Sequence, residues 1–249
     1  MDYTLKKKLF AGLAITGISL SGTSSADINE LSQVVFTGWG GDIETGANLS
    51  SGNTEKQTFH AAFSLNKEGE KKNWGHTIKG SADTSTENDI QSEEEYRVLG
   101  QSRYNLSETD YVFGELEYIN DRFSGFQYRV SEGVGYGRKF YNTPILAISG
   151  EVSGGGRHTQ NTQDVKTNSF LAKLSAKVKW AVTNTVELRE ELSISFADST
   201  ISLSETSLRN ALSENLYLKV GLSIEHNSEV PVGTEKTDTL TSISIGYKF

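Results

Sequence analysis

The chain of 249 residues contains no cysteine, two prolines, one methionine and four histidines. The absence of cysteine excludes disulfide bonds and thiolate metal sites. The histidines are too widely separated in the sequence for the ligand spacing of a metal site, at His60, His76, His158 and His226. We therefore expect neither a metal nor another cofactor.

Positive charge and long apolar runs are also scarce. The 24 Lys and Arg residues face 32 Asp and Glu residues, for a formal net charge of -8. A nucleic-acid-binding protein needs a basic surface to meet the phosphate backbone, so no nucleic-acid partner is expected. Beyond the N-terminus no apolar run reaches the roughly 18 to 20 residues of a membrane helix. A transmembrane β-barrel stays compatible, because its strands alternate apolar and polar residues.

The N-terminus has the three parts of an export signal. Lys6, Lys7 and Lys8 form a cationic segment, residues 9–20 form an apolar segment, and Ser24-Ser25-Ala26 forms a small-residue cleavage site. The sequence predicts a signal peptide over residues 1–26 and a single mature domain over residues 27–249. The mature chain is therefore expected outside the cytoplasm.

Short segments with alternating hydrophobicity recur along the whole mature chain, separated by clusters of Gly, Asn, Asp, Ser and Thr. A period of two residues is typical of β-strands. We predict an all-β protein, a transmembrane antiparallel up-and-down β-barrel of about 12 strands. A periplasmic or secreted β-sandwich is the alternative. The predicted strands lie near residues 41–50, 55–66, 74–86, 93–105, 110–119, 126–138, 144–155, 167–181, 185–196, 200–212, 215–227 and 238–249.

The connections between these segments fall into two classes. Those at 106–109, 139–143, 182–184 and 213–214 are short, whereas those around 87–92, 156–166 and 228–237 are longer. Short turns on one side and long loops on the other are typical of outer-membrane barrels. Gly154-Gly155-Gly156 is expected to supply turn flexibility before one of the longer loops.

The last predicted strand carries a separate signal. Thr241, Ile243 and Ile245 alternate with polar residues, and the same face ends in Tyr247 and the C-terminal Phe249. This pattern resembles the terminal strand by which bacterial outer-membrane barrels are recognised for insertion. We expect Tyr247 and Phe249 to act as an insertion signal for the barrel-insertion machinery, with outer-membrane lipids around the barrel.

If the C-terminal aromatic face meets lipid, the opposite face of each strand lines the lumen. Acidic and basic residues are about equally frequent there, which favours ion pairing, either in a filled interior or around a wet channel. A barrel of about 12 strands lies between these two cases. Lys173, Lys177 and Lys179 favour anions, but Glu187 and Glu191 oppose them, so no ion selectivity is predicted. The candidate lumen residues are Asp42, Glu44, Lys79, Glu95, Arg97, Arg103, Glu115, Glu117, Arg129, Glu151, Lys173, Lys177, Lys179, Glu187, Arg189, Glu191, Lys219 and Glu225.

Two carboxylates do not fit this assignment of faces. Glu132 and Glu190 fall on the faces expected to meet lipid, where a charged group is costly. A β-bulge, a covering segment or a different face assignment would each explain them. The segment 200–212 also alternates poorly.

One short stretch has the residue types of a hydrolase. His226 and Ser228 lie near Glu225 and Glu229, and acyl transfer needs a serine nucleophile, a histidine base and an acidic partner. Such stretches are common by chance, so we expect no enzymatic activity. An outer-membrane lipid hydrolase using His226 and Ser228 remains an alternative.

Two blocks resemble a known family. Residues 46–54, which include Gly52, Asn53 and Thr54, and the block Asp121-Arg122-Phe123-Ser124-Gly125 are similar to the salt-induced outer-membrane proteins, the YdiY-like family of Gram-negative bacteria. The resemblance implies an outer-membrane β-barrel linked to salt or osmotic conditions, and it supplies no catalytic residues. Gly52 and Asn53 suit a tight turn, and Asp121 with Arg122 is a candidate ion pair in a loop.

We therefore expect a narrow, charge-lined channel or porin-like envelope component in the outer membrane of a Gram-negative bacterium. Its partners would be small ions or polar solutes. A closed structural or adhesive barrel without transport is the alternative that the lumen residues leave open.

Overall fold

A computed structural model describes residues 38–50, 57–69, 73–87, 90–121, 126–230 and 235–249. The predicted signal peptide lies outside these residues, as do Gly52, Asn53, Thr54, Arg122, Phe123 and Gly125. No helix in the described ranges is long and apolar enough to cross a membrane. The strands are β1 (Gly40–Ser50), β2 (Gln57–Glu68), β3 (Trp74–Glu87), β4 (Ile90–Asn105), β5 (Asp110–Asp121), β6 (Phe126–Asn142), β7 (Leu146–Asn161), β8 (Lys166–Ala181), β9 (Val186–Phe196), β10 (Thr200–Ala211), β11 (Leu216–Asn227) and β12 (Thr237–Lys248).

The strands form one closed antiparallel barrel. Each strand pairs with its neighbours in the sequence, and β1 closes the barrel against β12 from Asp42 opposite Lys248 to Ser50 opposite Leu240. Beyond β12, the amide of Phe249 donates to the carbonyl of Gly41 at 3.0 Å. Closure leaves no unpaired sheet edge. The predicted fold of about 12 strands is confirmed.

The outer wall of the barrel is a belt of exposed apolar side chains. Phe170 and Val134 are 74% and 72% exposed. Leucine, isoleucine and valine side chains continue this belt around the wall, as expected of a surface that meets lipid hydrocarbon. Further members are Ile43, Phe59, Val98, Leu116, Val152, Leu174, Leu192, Leu208, Val220, Leu222, Ile243 and Ile245.

Two expected long loops are instead continuations of strands. β7 runs to Asn161 and β8 begins at Lys166, so the connection is a tight turn. The side-chain oxygen of Asn161 accepts hydrogen bonds from the amides of Gln163 and Val165, and Asp164 has a φ of 62°. Asp tolerates this left-handed conformation better than most residues. The loop predicted around 87–92 is likewise taken up largely by β3 and β4, which reach Glu87 and Ile90.

The glycines at 154–156 lie well inside β7, and the prediction that they supply turn flexibility is wrong. Gly155 pairs with Gly133 on β6 and with Leu171 on β8. A Cβ on Gly155 would lie 2.7 Å from the Cα of Gly133, which is closer than real Cβ contacts allow. The glycine is needed because the two strands approach closely, not because the chain turns.

Glu132 and Glu190 lie on the outer wall without a register shift at either residue. His158 Nε2 lies 3.5 Å from Glu132 Oε1, and the side chains of both residues are about half exposed. Glu190 accepts hydrogen bonds from Ser204, at 2.9 Å, and from Thr206. Polar neighbours on the wall therefore explain both carboxylates. They also explain the poor alternation of β10, whose outward face includes Ser204 and Thr206.

The hydroxyls beside Glu190 supply a test of this arrangement. Replacing Ser204 by Ala and Thr206 by Val together should lower the free energy of unfolding in lipid vesicles by about 1–3 kcal/mol, because the carboxylate loses its donors. The same double change in a Glu190→Leu background should be neutral or stabilising. Urea titrations followed by tryptophan fluorescence measure both values. Equal losses in the two backgrounds would show that the hydroxyls act independently of Glu190.

Candidate functional site

The charged lumen of the barrel is the candidate site. Several ion pairs join strands that are not neighbours in the sheet, and such contacts can only cross the interior. Lys173 on β8 reaches Glu115 on β5 at 3.2 Å. Lys219 on β11 contacts Glu44 on β1. Neighbouring strands contribute further pairs, including Lys177 with Glu151 at 3.4 Å. The interior is thus lined by paired rather than isolated charges.

One group of these residues, the β1 cluster, fills one side of the lumen. Glu44 lies at its centre with a side chain only 6% exposed. The carboxylate contacts Lys219, lies 3.9 Å from Arg209 Nη2 and 3.7 Å from His60 Nε2, and is 3.3 Å from the Tyr217 hydroxyl. The cluster consists of Asp42, Glu44, His60, Asp83, Arg209, Tyr217 and Lys219.

A second group, the β7 cluster, fills the opposite side. Glu151 accepts from the Tyr111 hydroxyl at 2.8 Å and from Ser175 at 3.2 Å. Glu115 accepts from Ser153 at 3.1 Å. Nearly every lone pair of these two buried carboxylates faces a donor, which offsets their desolvation. The cluster consists of Gln101, Tyr111, Glu115, Glu151, Ser153, Lys173, Ser175 and Lys177.

An ion pair between opposite walls spans the lumen between these two sides. Lys79 Nζ lies 2.9 Å and 3.1 Å from the two carboxylate oxygens of Glu191. Five strands separate β3 from β9 in either direction around the barrel, so the two residues come from opposite walls. The lumen is therefore narrow along the line that joins β3 and β9.

This central pair is open to solvent inside the barrel. The side chains of Lys79 and Glu191 are 40% and 38% exposed, in contrast to the 6–9% of Glu44, Glu115 and Glu151. A cavity of about 440 Å³ lies beside the pair. Its lining includes Arg103, Lys179 and Arg189, and it extends to Asn142 at the end of β6. The interior is thus neither fully packed nor fully open.

The other predicted lumen residues lie in smaller groups. Arg97 lies 3.4 Å from Glu95 and 3.8 Å from Glu117. Lys179 lies 3.0 Å from Glu187, which also binds Arg189 at 2.5 Å. The remaining predicted lumen residues are Arg103, which contacts Glu68, Arg129, which stacks on Phe126 at 4.3 Å, and Glu225, which is paired in register with Asp238. Asp121, predicted to lie in a loop, is instead the last residue of β5, where it is buried opposite Glu95.

The sequence interpretation missed several lumen residues. Arg209 and Glu205 were not predicted because β10 alternates poorly. Both lie on the same face of β10 as Ser207, which is paired in register with the lumen residue Arg189. Tyr217 alternates with Lys219, and that parity would have indicated its position. Tyr111 is 5% exposed and points into the lumen, where its hydroxyl donates to Glu151.

The residues of the hydrolase alternative make separate contacts. His226 Nδ1 lies 2.8 Å from the Thr237 hydroxyl, and the Ser228 hydroxyl accepts from the amide of Thr200 at 2.9 Å. No hydrogen bond joins His226 to Ser228 in the part of the chain that the structure describes. The same residues contain no cluster of three or more His, Asp or Glu side chains able to hold a metal ion.

A closed barrel of 12 antiparallel strands with an apolar outer wall and a charged lumen is the architecture of an outer-membrane β-barrel protein. The chain belongs to DUF481, a family of proteins of unknown function, whose model matches residues 43–249. It is 32% identical to the protein YdiY of Escherichia coli (strain K12) over 208 residues, which cover 83% of this chain and 82% of YdiY. The predicted membership of the YdiY-like family is confirmed.

Two porins of known structure have a similar fold. The NanC porin superposes with a TM-score of 0.57 at 10% identity, covering 83% of this chain and all of NanC. The KdgM porin superposes with a TM-score of 0.51 at 10% identity, covering 84% of this chain and 99% of KdgM. At this level of identity the likeness concerns the fold.

Proposed function

We propose that the protein is a narrow channel in the outer membrane, with the Lys79–Glu191 pair as its constriction. The observation that carries the proposal is the solvent exposure of this pair at the point where it spans the lumen. A barrel closed for purely structural reasons would be expected to bury these side chains as deeply as Glu44 or Glu151. The porin folds of NanC and KdgM agree with a channel.

The location of the charges suggests how the channel works. The β1 and β7 clusters keep their carboxylates buried and paired, so they act as fixed walls. The central pair lies between them beside the cavity, where water can replace each partner at a low energetic cost. A small ion or polar solute would pass by displacing water around Lys79 and Glu191, and polar walls would compensate its own desolvation.

Single-channel recording tests the constriction. We expect discrete conductance steps from the protein purified after expression of the full chain and inserted in a planar bilayer. Replacing both Lys79 and Glu191 by Ala should raise the step size at least about twofold, because the double change removes the side chains that cross the lumen without changing net charge. A Lys179→Ala and Glu187→Ala double variant is the matched control. It should change the step much less, because this pair joins the neighbouring strands β8 and β9 and does not cross the lumen.

The proposal would be overturned if neither the native protein nor the Lys79→Ala and Glu191→Ala double variant showed conductance steps. Circular dichroism and protease protection must show that both barrels are folded and inserted. The absence of steps would favour the alternative of a closed structural or adhesive barrel. An equal increase from the control variant would instead show a channel whose constriction lies elsewhere.

Location and regulation are parts of the same proposal. The apolar outer wall and the aromatic C-terminus support insertion into the outer membrane of a Gram-negative bacterium, with Tyr247 and Phe249 read by the insertion machinery. A link to salt rests on the family resemblance. Fractionated membranes from cells grown at low and high salt, probed for the protein, test both points: we expect the protein in the outer-membrane fraction and more of it at high salt.

A further inference from the structure

Three neighbouring strands bring a group of donors together on the inner wall, toward the end of the barrel that carries the β7–β8 turn. Arg129 on β6 is paired in register with Thr159 on β7. In the adjacent row, Ser131 on β6 lies opposite Arg157, which in turn lies opposite Ser169 on β8. We call Arg129, Ser131, Arg157, Thr159 and Ser169 the β6–β8 donor group. It holds two guanidinium groups and three hydroxyls, and no member is acidic.

The donor group has unused hydrogen-bonding capacity. Arg129 Nε, Arg157 Nε, Thr159 Oγ1 and Ser169 Oγ are buried and have no hydrogen-bond partner. Buried polar groups in proteins are nearly always satisfied, so a concentration of unsatisfied atoms indicates a missing partner.

The charges of the group favour an anion as that partner. Arg157 is 5% exposed, and its only carboxylate contact in the described chain is with Asp198, at 3.5 Å from Nη1. Its Nη2 donates to Ser195 at 3.0 Å. Arg129 is paired with no carboxylate in the described ranges, and one face of its guanidinium lies over Phe126 at 4.3 Å. The positive charge of Arg157 repels that of Arg129. Asp198, Glu225 and Glu117 are the acidic residues whose charges attract Arg129.

We propose that the β6–β8 donor group is a binding site for an oxyanion. Guanidinium forks fit the paired oxygens of carboxylate, phosphate and sulfate groups, and the hydroxyls of Thr159 and Ser169 would donate to the remaining lone pairs. The ligand is either a free inorganic anion or the acidic group of a small solute. This inference rests on the proposed channel function and names the class of solute that the channel would admit. Binding of the anion itself does not require that the channel conducts.

Isothermal titration calorimetry on the detergent-purified protein tests whether the site binds a free inorganic anion or the acidic group of a small solute. Sodium sulfate, inorganic phosphate and sodium glucuronate are the probes, glucose is the neutral control, and ionic strength is held constant. We expect at least one of the three anions to bind and glucose not to bind. Preference for glucuronate indicates an acidic solute, whereas equal or tighter binding of sulfate or phosphate indicates a free inorganic anion.

Variants locate the site. Arg129→Gln should weaken anion binding at least about tenfold, because a charge-assisted pair of hydrogen bonds is lost. Arg157→Lys, which keeps the charge but loses the fork, should weaken it less. Ser169→Ala is the mild variant that supports the test if an arginine variant fails to fold. Lys179→Gln removes the same charge near the other end of the lumen and should leave binding unchanged.

Absence of binding by all three anions to folded protein would overturn the inference, as would equal weakening by Lys179→Gln and Arg129→Gln. In the second case only the net charge of the lumen would matter.

Conductance separates this inference from the proposed function. Anion binding without conductance contradicts the channel alone, and conductance without anion binding contradicts the oxyanion site alone.

Discussion

Replacing Glu44 by Leu is expected to lower the free energy of unfolding by about 3–5 kcal/mol, the usual effect of removing one partner from a buried charge network. The carboxylate of Glu44 contacts Lys219 and lies within 4 Å of Arg209 and His60, and all three side chains are at most 16% exposed. Among the described residues, Arg209 would then keep Asp42 and His60 would keep Asp83, whereas Lys219 would lose its ion-pair partner. Urea unfolding in lipid vesicles, followed by tryptophan fluorescence, measures the loss.

Two comparisons make this expectation specific. Adding Lys219→Met to Glu44→Leu should recover part of the loss, because the unpaired cation is removed together with its anion. Glu187→Leu is the matched control, since its partners Lys179 and Arg189 are 55% and 33% exposed and water screens both pairs. Its expected loss is within about 1 kcal/mol. A loss at Glu187 as large as at Glu44 would contradict the view that burial decides the effect.

Replacing Gly155 by Ala should strongly destabilise the barrel. The added methyl group would overlap the backbone of β6 at Glu132 and Gly133, and backbone atoms in a closed sheet have little freedom to move. We expect a loss of roughly 3 kcal/mol or more, the upper end of overpacking effects. The measurement is the same vesicle unfolding experiment, together with the yield of folded barrel on refolding.

The adjacent glycine supplies the control. A Cβ on Gly154 would lie 3.6 Å from Phe170 and 3.8 Å from the carbonyl of Leu171, both ordinary contacts. Gly154→Ala should therefore change stability by less than about 1 kcal/mol, and it gains a little from a less flexible unfolded chain. If both variants lose stability equally, the close approach of β6 and β7 at Gly155 is not the cause of the loss.

The sequence alone determined the number of strands, their order and the parity of most side chains. These features are encoded locally, because successive side chains of a strand point to opposite faces. Alternation in β8, for example, separates Lys173, Lys177 and Lys179 from Leu174 and Trp180 without any knowledge of the neighbouring strands. Local encoding failed where both faces are polar. In β10 the lumen-facing residues were not recognised, and the end of β7 near Asn161 was predicted as a loop.

Which charges meet was decided only by the tertiary structure. Lys79 and Glu191 are 112 positions apart, and Lys219 and Glu44 are 175 apart. Their contacts depend on the register of every strand pair between them and on how closely opposite walls approach after closure. The same holds for Gly155, whose need for glycine comes from the close approach of β6. A period of two residues fixes the face of a side chain, but its partner across the lumen depends on the geometry of the closed barrel.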